Sequence, residues 1–151
     1  MIIRWLFAAV HLLALGIGLG AIWARARALR SPLDVGGLRR AFYADAWWGI
    51  AAVLWIATGL MRAFGGLEKG SAYYLHNHVF WTKMVLLGLI LVLELRPMLT
   101  LIRWRVEVGG GGHPDTSSAP RLATISSVQA VLVVLMILAA TAMARGYGAV
   151  P

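Results

Sequence analysis

Four runs of apolar residues alternate with three short polar stretches along the chain. The runs cover about 2–24, 42–64, 79–102 and 122–144. A helix needs about 20 residues to cross a hydrocarbon core of ~30 Å, and each run is long enough. Lipid offers the backbone no hydrogen bonds, so the runs are expected to be α-helices. The pattern predicts an all-α fold: a bundle of four transmembrane helices in antiparallel, up-and-down order, forming one integral membrane domain over 1–151.

The polar links differ in character. The first, 25–40, carries Arg25, Arg27, Arg30, Arg39 and Arg40, with Ser31-Pro32 and Gly36-Gly37 as breakers. Asp34 is placed to cap an early start of the second helix. The second link joins a strip, EKGSAYYLHNHVFWTK over 68–83, that holds two histidines, both lysines and two adjacent tyrosines. The third, 106–121, contains Gly109–Gly112 and then His113-Pro114-Asp115, which reads as a flexible loop.

Small and polar residues suggest how the helices face. Gly16 and Gly20 form a small-xxx-small pair that allows close helix contact. Asp45, Gly49, Ala52, Ile56 and Gly59 share a face of the second helix, expected to point inward with Asp45 paired to an arginine. Trp55 then lies elsewhere around that helix, and Trp47 and Trp48 suit an interfacial belt. Pro97 predicts a kink in the third helix, and Gly146 a stop after the fourth.

Composition agrees with lipid as the solvent. The 151 residues are 60% hydrophobic and 13% charged, with mean hydropathy +0.77, against about 25% charged in soluble domains. The net charge of +8 does not indicate nucleic acid, because the arginines cluster between apolar runs rather than on one polar face. They serve orientation and attraction to anionic lipid instead. Nine arginines flank the first and third links, and four basic residues (Arg4, Arg62, Lys69 and Arg145) lie on the other side. The positive-inside rule puts loop 106–121 in the cytoplasm and both termini on the outer, periplasmic side of a bacterial inner membrane. The start of the chain loosely resembles a signal peptide, but its charge asymmetry is reversed, so it is expected to be a retained first helix. The chain has no cysteine, so disulfides and thiolate chemistry are excluded.

Ionisable groups in a membrane are costly and usually face the bundle interior. The topology brings His11, Tyr73, Tyr74, His76, His78 and Lys83 to one level, with Arg62 and Arg145 closing the same side. A neutral imidazole in an apolar bundle suits a haem iron, and cations at its mouth suit carboxylates such as propionates. Lys83 is the candidate catalytic base or second ligand. The plainer reading is a hydrogen-bonded His11, a snorkelling Lys83, an aromatic belt at Tyr73 and Tyr74, and surface histidines at 76 and 78. His76-x-His78 is a weak metal pair. No phosphate-cradling Gly-Lys-Ser/Thr motif and no HExxH is present, and the serines near 117 and 126 lie far from His11.

Ala44-Asp45-Ala46-Trp47-Trp48-Gly49, Gly59-Leu60-Met61-Arg62, Glu68-Lys69-Gly70, Tyr73-Tyr74, Asn77, Lys83 and Met143-Ala144-Arg145-Gly146 carry a resemblance. The chain resembles a family of small uncharacterised bacterial membrane proteins of four predicted helices. It is more distantly similar to the membrane-bound, haem-containing protoporphyrinogen oxidase (the J-type enzyme) and to copper-resistance membrane proteins of the D type. The oxidase likeness implies haem b on His11, with Lys83 near the propionates. That enzyme's pattern has a histidine two residues before the lysine, where this chain has Trp81. The expectation is a small integral membrane protein, either an accessory subunit or a ligand-binding bundle without catalysis. The alternatives are a haem or porphyrin redox protein and a protein handling metal or small solutes. Its expected partners are the lipid bilayer and a second copy or another membrane subunit.

Overall fold

The computed structural model describes residues 2–65 and 75–148. Among these residues there are four long helices and no strand: α1 (Ile2–Arg30), α2 (Val35–Phe64), α3 (His78–Gly109) and α4 (Ala119–Ala144). All four are long and apolar enough to cross a membrane. The helices outrun the apolar runs, mostly at the arginine-rich end. Hydropathy marks where a helix meets lipid, whereas Ala24-Arg25-Ala26-Arg27-Ala28-Leu29-Arg30 continues as helix because Ala, Arg and Leu favour it in any solvent. The first link therefore shrinks to 31–34 and the third to 110–118. Asp34 caps α2 as its position suggests, accepting from the Gly37 N–H at 2.7 Å. In the third loop, Asp115 accepts from the Ser117 N–H and hydroxyl. These bonds lower its pKa, so their support for the turn is lost only as the pH falls through that lowered value.

α1 is the central element. It packs against α2 on one side and α4 on the other, α3 packs on α4, and α2 and α3 touch only sparsely. The core runs along one row of α1: His11, Ala14, Leu15, Gly18, Ile22, Arg25 and Leu29, spaced as a helix face requires. The outside of the bundle is apolar; Leu13, Val53, Val85 and Val92 are each more than 60% exposed. Apolar exposure on this scale fits contact with lipid.

Two packing expectations are corrected. Gly16 and Gly20 make no close approach; the tight contact is at Gly18, where an added Cβ would sit 3.3 Å from Cζ3 of Trp48. Trp48 and Trp55 are not on the outside of α2. They are buried on the core row Ala41, Ala44, Trp48, Ala51, Trp55 and Thr58. Small residues in α1 and α4 leave room for two indole rings, so burying them fills space that the small residues cannot. Trp47, by contrast, is 41% exposed. Pro97 lies inside α3 and is buried.

Asn77 locks the end opposite the arginines. Fully buried, it caps α3 by accepting from the N–H groups of Val79 and Phe80, and it donates to the Tyr147 carbonyl. The His78 N–H donates to the Gly148 carbonyl, tying the segment after α4 to the start of α3. Gly146, at φ +90°, makes the turn out of α4 that this contact needs. Asn77→Ala is expected to cost about 1–2 kcal/mol, the upper range for a lost cap, measured as reduced stability in detergent.

Candidate functional site

The bundle holds two polar stations on the same face of α1, 14 residues apart, or about 21 Å along the helix. The first centres on Arg25, which is completely buried. A guanidinium has five N–H donors, and each one here has an acceptor. Nε donates to Ser126 Oγ at 3.0 Å, and one terminal nitrogen reaches Asp45 Oδ1 at 2.8 Å and Glu94 Oε1 at 2.7 Å. The other reaches Glu94 Oε2 at 2.8 Å and Gln129 Oε1 at 3.0 Å. The Gln129 amide donates in turn to Glu94 Oε2 and to the Ile90 carbonyl. Arg105 closes the cluster at 2.7 Å from Asp45 Oδ2 and also donates to the Phe42 carbonyl. Every helix contributes, and two cations balance two carboxylates. No buried side-chain nitrogen or oxygen among the described residues lacks a partner. The satisfied, neutral network serves as a bolt through the four helices.

The second station lies at the other end. His11, Arg62 and Lys83, from three different helices, line one cavity of about 370 Å³. Apart from Thr141 its remaining wall is apolar, with Trp55, Phe64, Phe80, Met84 and Met136 among it. Gly59 seats the imidazole, since a Cβ there would be 3.1 Å from His11 Cε1. His11 Nδ1 lies 2.9 Å from Thr58 Oγ1. The Thr58 hydroxyl has one proton, already given to the Leu54 carbonyl at 2.6 Å. Oγ1 must therefore accept, so Nδ1 carries a proton directed at it.

Of the residues that the sequence places at this level, His11, Lys83 and Arg62 share the cavity. Arg145 is an exposed capping residue of α4, next to the wall residue Ala144 but not on the wall. His76 and His78 are exposed. Tyr73 and Tyr74 lie outside the described residues. Among the described residues no three His, Asp or Glu side chains are grouped as a metal site would need. Asp45 pairs with arginines as expected, but Arg25 itself is missed, because the sequence reading counts it with the interfacial cations. Its signal is its register: Arg25 falls three residues after Ile22 and four before Leu29, on the core row of α1.

A family model described as Predicted membrane protein (DUF2214) matches residues 3–148. The chain belongs to that family. No curated protein and no solved structure matches it. Both stations fall inside the matched range, so both are features of a DUF2214 domain rather than of an appended segment. Between them lies an apolar plug that includes Ile22, Trp48, Ile90, Ala130 and Val133. In this DUF2214 bundle that apolar cluster separates the two stations along the core row of α1.

Proposed function

We propose that the protein is a small-ligand-binding membrane bundle whose ligand has an apolar body and an anionic head. One observation carries this reading: His11, Arg62 and Lys83 line a single cavity whose other walls are mostly apolar and aromatic. A volume near 370 Å³ lies within the range of small-molecule sites, roughly 300–1,000 Å³. The two cations suit a carboxylate. The test is native mass spectrometry of the protein in neutral-lipid nanodiscs, titrated with decanoate and with decanol. The expected result is one saturable decanoate adduct and a much weaker decanol one. Equal uptake of the two would overturn the proposal.

A haem reading shares the site, and the His11–Thr58 bond favours it. Histidines that hold a metal usually donate their other ring nitrogen to an oxygen, which fixes the ring. His11 has that arrangement, and Arg62 and Lys83 would face propionates. When bound, haem would supply redox chemistry; the protein's own part would be to orient His11 and hold the carboxylates. Adding hemin should then produce a Soret band that His11→Ala removes. A band unchanged in His11→Ala would sink the ligand role.

Orientation belongs to the same proposal. With Arg25 internal, the arginine-rich end still carries more surface cations than the other. The positive-inside rule puts that end in the cytoplasm and the His11 cavity and both termini on the outer side of a bacterial inner membrane.

A further inference from the structure

We propose that the groove between α1 and α2 at the arginine-rich end binds one anionic phospholipid, with its phosphate at Arg27, Arg39 and Arg40 and an acyl chain along α1 toward Ile17. The groove is a cavity of about 1050 Å³, separate from the His11 site. Its floor is made of buried small residues, Ala21, Ala28 and Ala44. Gly20 opens it further, because a Cβ there would meet nothing within 4 Å. Tyr43 and Trp47 form one wall, with ring centroids 6.3 Å apart in an edge-to-face arrangement. Exposed Tyr and Trp side chains of this kind sit at the headgroup level of a bilayer.

Charge decides the occupant. Arg25 and Arg105 are paired with carboxylates. Arg27, Arg39 and Arg40 are exposed at the rim, and among the described residues none of them has an ion-pair partner. Three guanidinium groups around one mouth form a site for a phosphate oxygen cluster. From Arg27 to Ile17 the groove follows ten residues of α1, about 15 Å, into the apolar span. A free phosphate would fill only the mouth, and a neutral lipid would leave the arginines unanswered. A second copy of the chain would oppose like charges across a two-fold axis. A phospholipid with an anionic head answers both the charge and the apolar length.

The experiment is native mass spectrometry of the full chain in a neutral detergent, with phosphatidylglycerol and phosphatidylcholine supplied in equal amounts. Wild type should retain phosphatidylglycerol preferentially, and glycerol phosphate at the same concentration should not displace it. Each rim arginine is expected to contribute about fivefold to the preference, so the pair Arg39→Gln with Arg40→Gln should reduce it roughly 25-fold or bring it to parity. Gly20→Leu should weaken retention by filling the groove. The control pair Arg103→Gln with Arg121→Gln, at the same end but outside the groove, should leave the preference intact. Equal retention of the two lipids by wild type would overturn the proposal. So would an equal loss in the control pair, or displacement by glycerol phosphate. The wild-type comparison decides the matter even where a variant fails to fold.

Discussion

Arg25→Met is expected to lower the unfolding free energy by about 3–5 kcal/mol, the cost of breaking a buried ion pair by removing one partner. The reason lies in what remains. Glu94 loses the bidentate partner of both its oxygens, and Ser126 and Gln129 lose the donors that fill them. Asp45 is hurt less, because Arg105 still holds its other oxygen. The loss should therefore fall mainly on Glu94. Adding Glu94→Gln to Arg25→Met should recover a substantial part of it, since a neutral amide avoids the unpaired charge. Unfolding in detergent, followed by circular dichroism, measures both variants. A loss below about 1 kcal/mol for Arg25→Met would mean that water reaches the network and that it does not bolt the bundle.

Lys83→Ala is expected to weaken decanoate binding by about 10- to 150-fold, the equivalent of a charge-assisted hydrogen bond worth about 1.5–3 kcal/mol. Arg62→Ala should act in the same direction. Decanol binding should change little in either variant, because it contributes no charge. That contrast separates a lost carboxylate contact from a general collapse of the cavity. Thr58→Val gives a finer reading: it keeps the volume but removes the oxygen that orients His11, so it should affect the hemin band more than decanoate binding.

The four helices were legible because lipid imposes length and hydropathy on each of them. Their polar ends were not, since helix propensity at Ala24–Arg30 leaves no mark in hydropathy. The cavity beside His11 was partly legible: topology alone brings His11, Arg62 and Lys83 to one level, while the role of Thr58 depends on a side-chain contact across 47 positions. The burial of Trp48 and Trp55 is not legible in the sequence, because indole is at home both at a bilayer interface and in a core, and only the neighbouring small residues decide between them. Arg25 was hidden by its neighbours Arg27 and Arg30, which do lie on the surface. A charge next to other charges reads as solvated, although its place on the row of Ile22 and Leu29 argued otherwise.

If the cavity beside His11 holds a ligand, filling it with a larger side chain must abolish binding. A Cβ at Gly59 already crowds His11 Cε1, and a leucine would extend into the cavity. Ala140→Phe fills the same space from α4. The measurement is the decanoate occupancy of wild type, Gly59→Leu and Ala140→Phe by native mass spectrometry, each confirmed to be folded by its helical circular dichroism. A single adduct is expected on wild type and none on the filled variants. Equal occupancy in folded wild type and both filled variants would contradict it.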